Sequence, residues 1–107
     1  MIKKSQMRVV ILQSAEDDIL EIEKYYSEVS QIVVKDFFEE LKEVIVRLGV
    51  FPEIGKVLVL RFTKKVFRGV ALKRFPYILI YEPNKSKNKL RVIAIIHTHR
   101  NIEYLFK

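Results

Sequence analysis

Cysteine is absent from this sequence, which removes disulfides and thiolate metal sites and fits a reducing compartment. Only two histidines are present, His97 and His99, too few to argue for zinc. No apolar run approaches the roughly 18 residues of a membrane span. The run that follows the basic N-terminus, Val9 to Leu12, is also far shorter than the apolar core of a signal peptide. The protein is therefore expected to be soluble and cytoplasmic, with no membrane contact. There is no glycine-rich phosphate loop and no Ser/His/Asp pattern that spacing supports. Repeats, linkers and low-complexity tracts are missing too, so a single domain over residues 1–107 is expected.

Acidic residues are scarce in one half only. Met1 to Gly55 holds 7 Lys and Arg against 11 Asp and Glu, a net of −4, whereas Lys56 to Lys107 holds 13 against 2, a net of +11. A field of that sign draws polyanions or an acidic protein. The carboxylates of the basic half, Glu82 and Glu103, offer no pair for a hard divalent cation. A metal-dependent nuclease is thus disfavoured, and neither metal nor cofactor is expected.

What is present reads as strand, helix, helix, then strands. Arg8 to Leu12 is a β-branched run typical of a strand. Ser14 with Asp17 three residues on predicts a capped helix start, and Asp18 adds charge near the positive end of the helix dipole. Ala15, Ile19, Ile22 and Tyr26 then share one face of a helix ending near Glu28. Ser30 is expected to cap a second helix striped by Val34, Phe37, Leu41, Val44 and Leu48, with Gly49 as the left-handed residue that stops it. The short link between the two makes them an antiparallel hairpin.

Phe51-Pro52-Glu53-Ile54-Gly55 is expected to be a turn, and Val57 to Phe62 to be extended until Thr63-Lys64-Lys65 interrupts it. Strands follow at Val66 to Leu72, where Gly69 signals a bulge or a close backbone approach, and at Tyr77 to Glu82, which Pro83 should end. The polar stretch Asn84 to Lys89 makes a hairpin with Leu90 to His97. That last run is apolar at both alternating phases apart from Arg91, so it is assigned to the centre of the sheet. Asn101 could cap a last turn through Phe106. The expected fold is α+β: an N-terminal strand, an antiparallel helical hairpin, and a mostly antiparallel sheet of three or more strands.

Chemistry concentrates where the last strand runs into His97-Thr98-His99-Arg100. Cleaving RNA needs a base, an acid and cations aimed at the phosphate, and His97, His99, Arg100, Arg68 and Arg91 supply those types without a metal. Each also has a structural reading. A strand-end histidine is commonly a hydrogen-bonding residue, Arg68 can pair with a helix carboxylate such as Glu16 or Glu39, and Tyr81 can pack with its hydroxyl at the rim. Helices covering the back of a cation-bearing sheet would bring Arg68, His97 and Arg100 together at an exposed edge. The lysines and arginines with Tyr77, Tyr81, Phe67 and Phe75 could equally form a plain nucleic-acid or protein-binding platform.

The element order, the Pro52-Glu53-Ile54-Gly55 turn, Phe67-Arg68, Lys73-Arg74-Phe75-Pro76-Tyr77, Tyr81, and Val92 to Ile96 followed by His97-Thr98-His99-Arg100-Asn101 together resemble the ParE/RelE family of bacterial toxins. The resemblance spans nearly the whole chain. It implies the toxin of a type II toxin-antitoxin pair, bound by an acidic antitoxin in a hetero-oligomer. RelE-like members cut messenger RNA on the ribosome; ParE-like members act on DNA gyrase and lack that catalytic set. The long second helix, the Pro-x-x-Gly turn and the Arg-Phe-Pro-Tyr run look more like the ParE side. His97 and Arg100 match the family's His-x-x-Arg ending, Arg68 its strand arginine, and Tyr81 its strand tyrosine. The resemblance therefore implies these four as functional residues, catalytic ones if the chain is a metal-independent endoribonuclease.

Overall fold

Two runs with three-to-four apolar spacing form helices here, and shorter β-branched and aromatic runs form strands. The computed structural model describes residues 6–60 and 63–99. In chain order the elements are β1 (Arg8–Ile11), α1 (Gln13–Ser27), α2 (Gln31–Val50), β2 (Lys56–Leu58), β3 (Phe67–Ala71), β4 (Tyr77–Asn84), a 3₁₀ turn (Lys85–Lys87) and β5 (Lys89–His97). The helical turn expected from Asn101 lies outside the described residues; the extended run expected over Val57 to Phe62 is a strand only as far as Leu58, and its last two residues also lie outside them. Among those described, no helix is long and apolar enough to cross a membrane.

The strands form one sheet in the order β1-β5-β4-β3-β2. β1 lies parallel to β5, and the other pairings are antiparallel, in agreement with the expected α+β architecture. The helical hairpin covers one face, with α1 on β5 and α2 reaching β1. Val34, Phe37, Leu41, Val44 and Leu48 of α2 are buried, as are Ala15 and Ile22 of α1, whereas Phe38 and Ile45, expected to widen the α2 stripe, are only partly covered. Of these, Ala15, Ile22, Phe37, Leu41, Val44 and Leu48 meet Leu79 and Tyr81 of β4 and Leu90, Val92 and Ile95 of β5 in the main core. Ile80, Ala94 and Ile96 form a smaller cluster.

One irregularity explains why β5 is apolar at both phases. Ile80 pairs with Ala94 but Tyr81 pairs with Val92, so Ile93 is an extra residue in β5. Such a bulge reverses the alternation, letting Leu90 and Val92 on one side of it and Ile95 on the other point into the same core. The bulge belongs to β5, not to Gly69. Gly69 instead answers to close approach, since a Cβ there would sit 3.1 Å from the Ile78 side chain. β5 is an interior strand one place away from the centre; β4 occupies the middle of the order.

Local signals were partly overridden by main-chain bonding. α1 is capped at Leu12 rather than Ser14. β1 ends at Ile11, so the edge of β5 beyond it needs other partners. The Leu12 N–H donates to the Val92 carbonyl at 3.0 Å, the Ser14 hydroxyl to the Ile93 carbonyl at 2.6 Å, and the Ile95 N–H to Asp18 at 2.9 Å. Asp18 thus serves β5 as well as its helix.

Ser30 does cap α2, accepting from the Ile32 N–H at 3.1 Å. Gly49, however, is inside the helix and has no positive φ. Its carbonyl, one of those left over in the last turn, accepts from the Met7 N–H at 2.8 Å. A Cβ at position 49 would lie 3.3 Å from the Met7 oxygen, so the glycine allows the chain before β1 to pack there. Pro83 does not end β4, which runs on to Asn84. β3 flanks β4 only as far as Tyr81, and a proline is tolerated where a strand has become an edge. The hairpin to β5 is as expected, with Asn88 in the left-handed region at φ 52°, a conformation asparagine accepts more readily than most residues.

The most buried acid is Glu40 of α2. Its carboxylate accepts the N–H groups of Lys73 at 2.5 Å and Arg74 at 3.0 Å, fastening the β3–β4 loop to the helix. Replacing Glu40 with Ala strands two amides near the core. The expected loss is about 1–3 kcal/mol of unfolding free energy, read as a lower urea midpoint with unchanged slope.

Candidate functional site

The sequence-derived site residues that the structure describes fall at two separate places along β4. Arg68 of β3 is paired with Tyr81 of β4, and both side chains serve the turn between α2 and β2. The Tyr81 ring is fully buried. Its hydroxyl donates to the Pro52 carbonyl at 2.8 Å and accepts the Gly55 N–H at 2.9 Å. The Arg68 guanidinium donates to the Gly55 carbonyl at 2.8 Å and the Glu53 carbonyl at 3.2 Å. Arg68 is thus tied to main-chain carbonyls of the turn; the helix carboxylates Glu16 and Glu39 are not among its bonded partners.

Gly55 completes this arrangement because any Cβ would be 2.7 Å from the Tyr81 oxygen and 2.9 Å from the Gly69 carbonyl. Glu53 is joined to Lys85 across the surface, and that lysine, through a hydrogen bond and its charge, holds the Glu53 carboxyl below its ordinary value. Burial pushes the Tyr81 phenol up, partly offset by the Gly55 bond and the nearby Arg68 charge.

His97 stands at the other place, opposite Tyr77. Its ring meets the Tyr77 ring edge-on at 5.7 Å and stacks with that of His99 at 5.2 Å. The two rings thus come together across the turn that follows β5. The His99 N–H donates to His97 Nδ1 at 3.3 Å, and the Thr98 N–H to the Pro76 carbonyl at 2.9 Å, so the chain beyond β5 stays fixed to β4. Both imidazoles are exposed. Behind them Tyr77 packs against Tyr26 and Phe37, and burial, followed by the Tyr26 hydroxyl, pushes its phenol well up. A cavity of about 240 Å³ opens beside His97, lined also by Asp18, Glu21 and Tyr77.

Register keeps these places apart. Tyr77 and Tyr81 are four residues apart on one strand, a separation of about 13 Å at about 3.3 Å per residue. The sheet therefore brings Arg68 to Tyr81 and His97 to His99, but does not bring Arg68 to His97; Arg100 lies outside the described residues. Arg91 of β5, opposite Glu82 and so beyond Tyr81 from His97, pairs with Glu82 at 3.5 Å. Sequence reasoning missed Glu40 and the second role of Asp18. Both sit at helical spacing from buried apolar residues, Glu40 between Phe37 and Val44 and Asp18 between Ala15 and Ile22. A carboxylate on an apolar stripe is a signal in itself, because burial demands a donor.

A family model described as the ParE toxin of the type II toxin-antitoxin system parDE matches residues 9–102. Among solved structures, the chain is similar to one from the chromosomal ParDE toxin-antitoxin system of P. aeruginosa. The TM-score is 0.69 at 14% identity, with 88% of this chain and 98% of that chain covered. It is also similar to a chain of the toxin-antitoxin complex RelBE2 from Mycobacterium tuberculosis, at TM-score 0.55 and 14% identity, covering 89% and 94%. No curated protein matches the chain by sequence.

The Tyr77 and Tyr81 phenols are both raised above their ordinary value of 10.0. The unfolded chain therefore ionises first as pH rises, so the stability these groups contribute is intact below about pH 10 and lost progressively above it. Thermal melts between about pH 8 and about pH 11 should show that fall. Tyr81→Phe should flatten it, and should also lower stability at neutral pH by about 1–3 kcal/mol through the lost hydroxyl bonds.

Proposed function

The chain belongs to the ParE toxin family of type II toxin-antitoxin systems, and on that premise we propose a growth-inhibiting, plasmid-stabilising toxin that binds an essential bacterial target such as DNA gyrase. Its action is cytoplasmic, and an acidic antitoxin silences it in a hetero-oligomer. The carrying observation is the engagement of Arg68 and Tyr81 with the turn at residues 52–55. Both brace main-chain groups, and both stand well away from His97 along β4. Phosphoryl chemistry needs its acid, base and cations within hydrogen-bond reach of one substrate; a binding toxin has no such need. In this reading Arg68 and Tyr81 hold the turn, while His97 and Arg100 contribute hydrogen-bonding and cationic groups to target contact. The two similar structures, both from toxin-antitoxin systems, support the antitoxin partner.

A second reading, ribosome-dependent cleavage of messenger RNA, draws on the exposed and stacked His97–His99 pair. Expression of the chain alone is expected to arrest growth, and co-expression of the adjacent reading frame to relieve the arrest; absence of either contradicts the proposal. Toe-printing of messenger RNA on translating ribosomes separates the two readings. The binding toxin leaves no new 3′ ends, whereas a ribonuclease leaves cuts that disappear in the His97→Ala, Arg100→Ala double variant.

A further inference from the structure

The solvent side of α2 ends in an apolar patch that neither the core nor the candidate site uses. Val46 is 56% exposed, Phe51 49% and Ile54 41%. Two adjoining hollows run over it and share Val50 and Phe51. One, of about 430 Å³, lies on the last turns of α2 between Lys42, Glu43, Val46 and Arg47. The other, of about 460 Å³, continues over Pro52, Glu53 and Ile54 to Lys85. A contiguous apolar surface rimmed by charge marks a place where another macromolecule packs.

Charge decides which one fits. Lys56 to Lys107 carries +11, and α1 holds 1 Lys against 5 Asp and Glu, a net of −4. Two copies meeting at either surface would set like charges together. α2 differs, with 3 Lys and Arg against 4 Asp and Glu, a net of −1, so a second copy approaches it at little electrostatic cost. A nucleic acid or an acidic protein on the patch would face Glu43 and Glu53. The acidic α1 of one copy set on the basic strands of another would leave the patch in water.

The spacing on α2 is also self-complementary. Lys42, Val46 and Val50 follow at steps of four and form one ridge of the helix, while Glu43 and Arg47, one turn apart and both exposed, lie together on one flank of Val46. When two such helices pack antiparallel about a two-fold axis near Val46, each flank meets the same flank reversed. Glu43 then faces Arg47 of the partner subunit, and symmetry forms the reciprocal pair at the same time.

We propose that the chain pairs with a second copy of itself through this end of α2 and the turn at residues 51–54, with Val46, Val50 and Phe51 packed across the axis and two reciprocal Glu43–Arg47 ion pairs at the rim. The pairing does not depend on which target the toxin binds.

The test is sedimentation equilibrium of the full chain, purified free of other proteins, over concentrations that report dissociation constants from about 1 μM to about 1 mM. The wild type should be a reversible dimer. Glu43→Arg and Arg47→Glu should each weaken it more than about tenfold through like-charge contact. Mixed in equal amounts, the two variants should associate again, because two arginines of one then face two glutamates of the other. The chain holds no cysteine, so Val46→Cys places one thiol per copy beside the axis, and mild oxidation should link the copies. Val29→Cys, exposed at the link between the helices, should not link. Circular dichroism confirms that the variants are folded; should a charge variant unfold, the cross-link decides. A wild type that stays monomeric, a dimer that both folded charge variants keep, no recovery on mixing, or equal linking at 29 and 46 overturns the inference. A monomer whose complex with the product of the adjacent reading frame is weakened by Val46→Glu overturns it in favour of that protein as the occupant.

Discussion

A main-chain amide or carbonyl that has lost its strand partner inside a folded protein must find another, and in this chain side chains meet that demand at each junction between helix and sheet. Where β1 stops short, Ser14 and Asp18 take over the edge of β5. Where β3 turns into β4, Glu40 accepts two consecutive amides. Where α2 passes into β2, the Tyr81 hydroxyl and the Arg68 guanidinium bind the turn from below. The strands are short, and these ties add bonding that a longer ladder would have supplied.

This division of labour separates what could be read in the sequence from what could not. The apolar stripes of α1 and α2 were legible because helical periodicity reports burial directly, and the residues they named do fill the core. The β4–β5 hairpin was legible from its polar run. Ser14 and Gly49 were misread because local capping rules describe a helix in isolation, whereas their groups are engaged by β5 and by the chain before β1. The placing of β5 at the centre failed by one strand, since a bulge at Ile93 buries both phases of an interior strand that need not be the middle one. Among the candidate site residues, types were legible but convergence was not. Nothing in the order of residues discloses that Arg68 faces Tyr81 and that His97 faces Tyr77, because that depends on register.

The electrostatic asymmetry also takes on a different meaning once the acids are located. Two carboxylates of the acidic half, Asp18 and Glu40, are engaged with main-chain amides. The acid-free stretch from β2 through β3 keeps its lysines in solvent. The positive field therefore belongs to the strands and their connections more than to the helices, and a field of that sign favours association with an anionic macromolecule.

The parallel pairing of β1 with β5 joins Arg8 to Lys89, positions at nearly opposite ends of the chain. During synthesis β1 emerges well before its sheet neighbour, so until β5 is made nothing shelters the valine pair of β1 on the side that strand finally adjoins. The largest loop in the molecule closes only after β5 has been made, and entropy places that step late. The hairpins formed by neighbouring strands can assemble beforehand, whereas the edge strand that opens the sheet waits for β5 to give it a place.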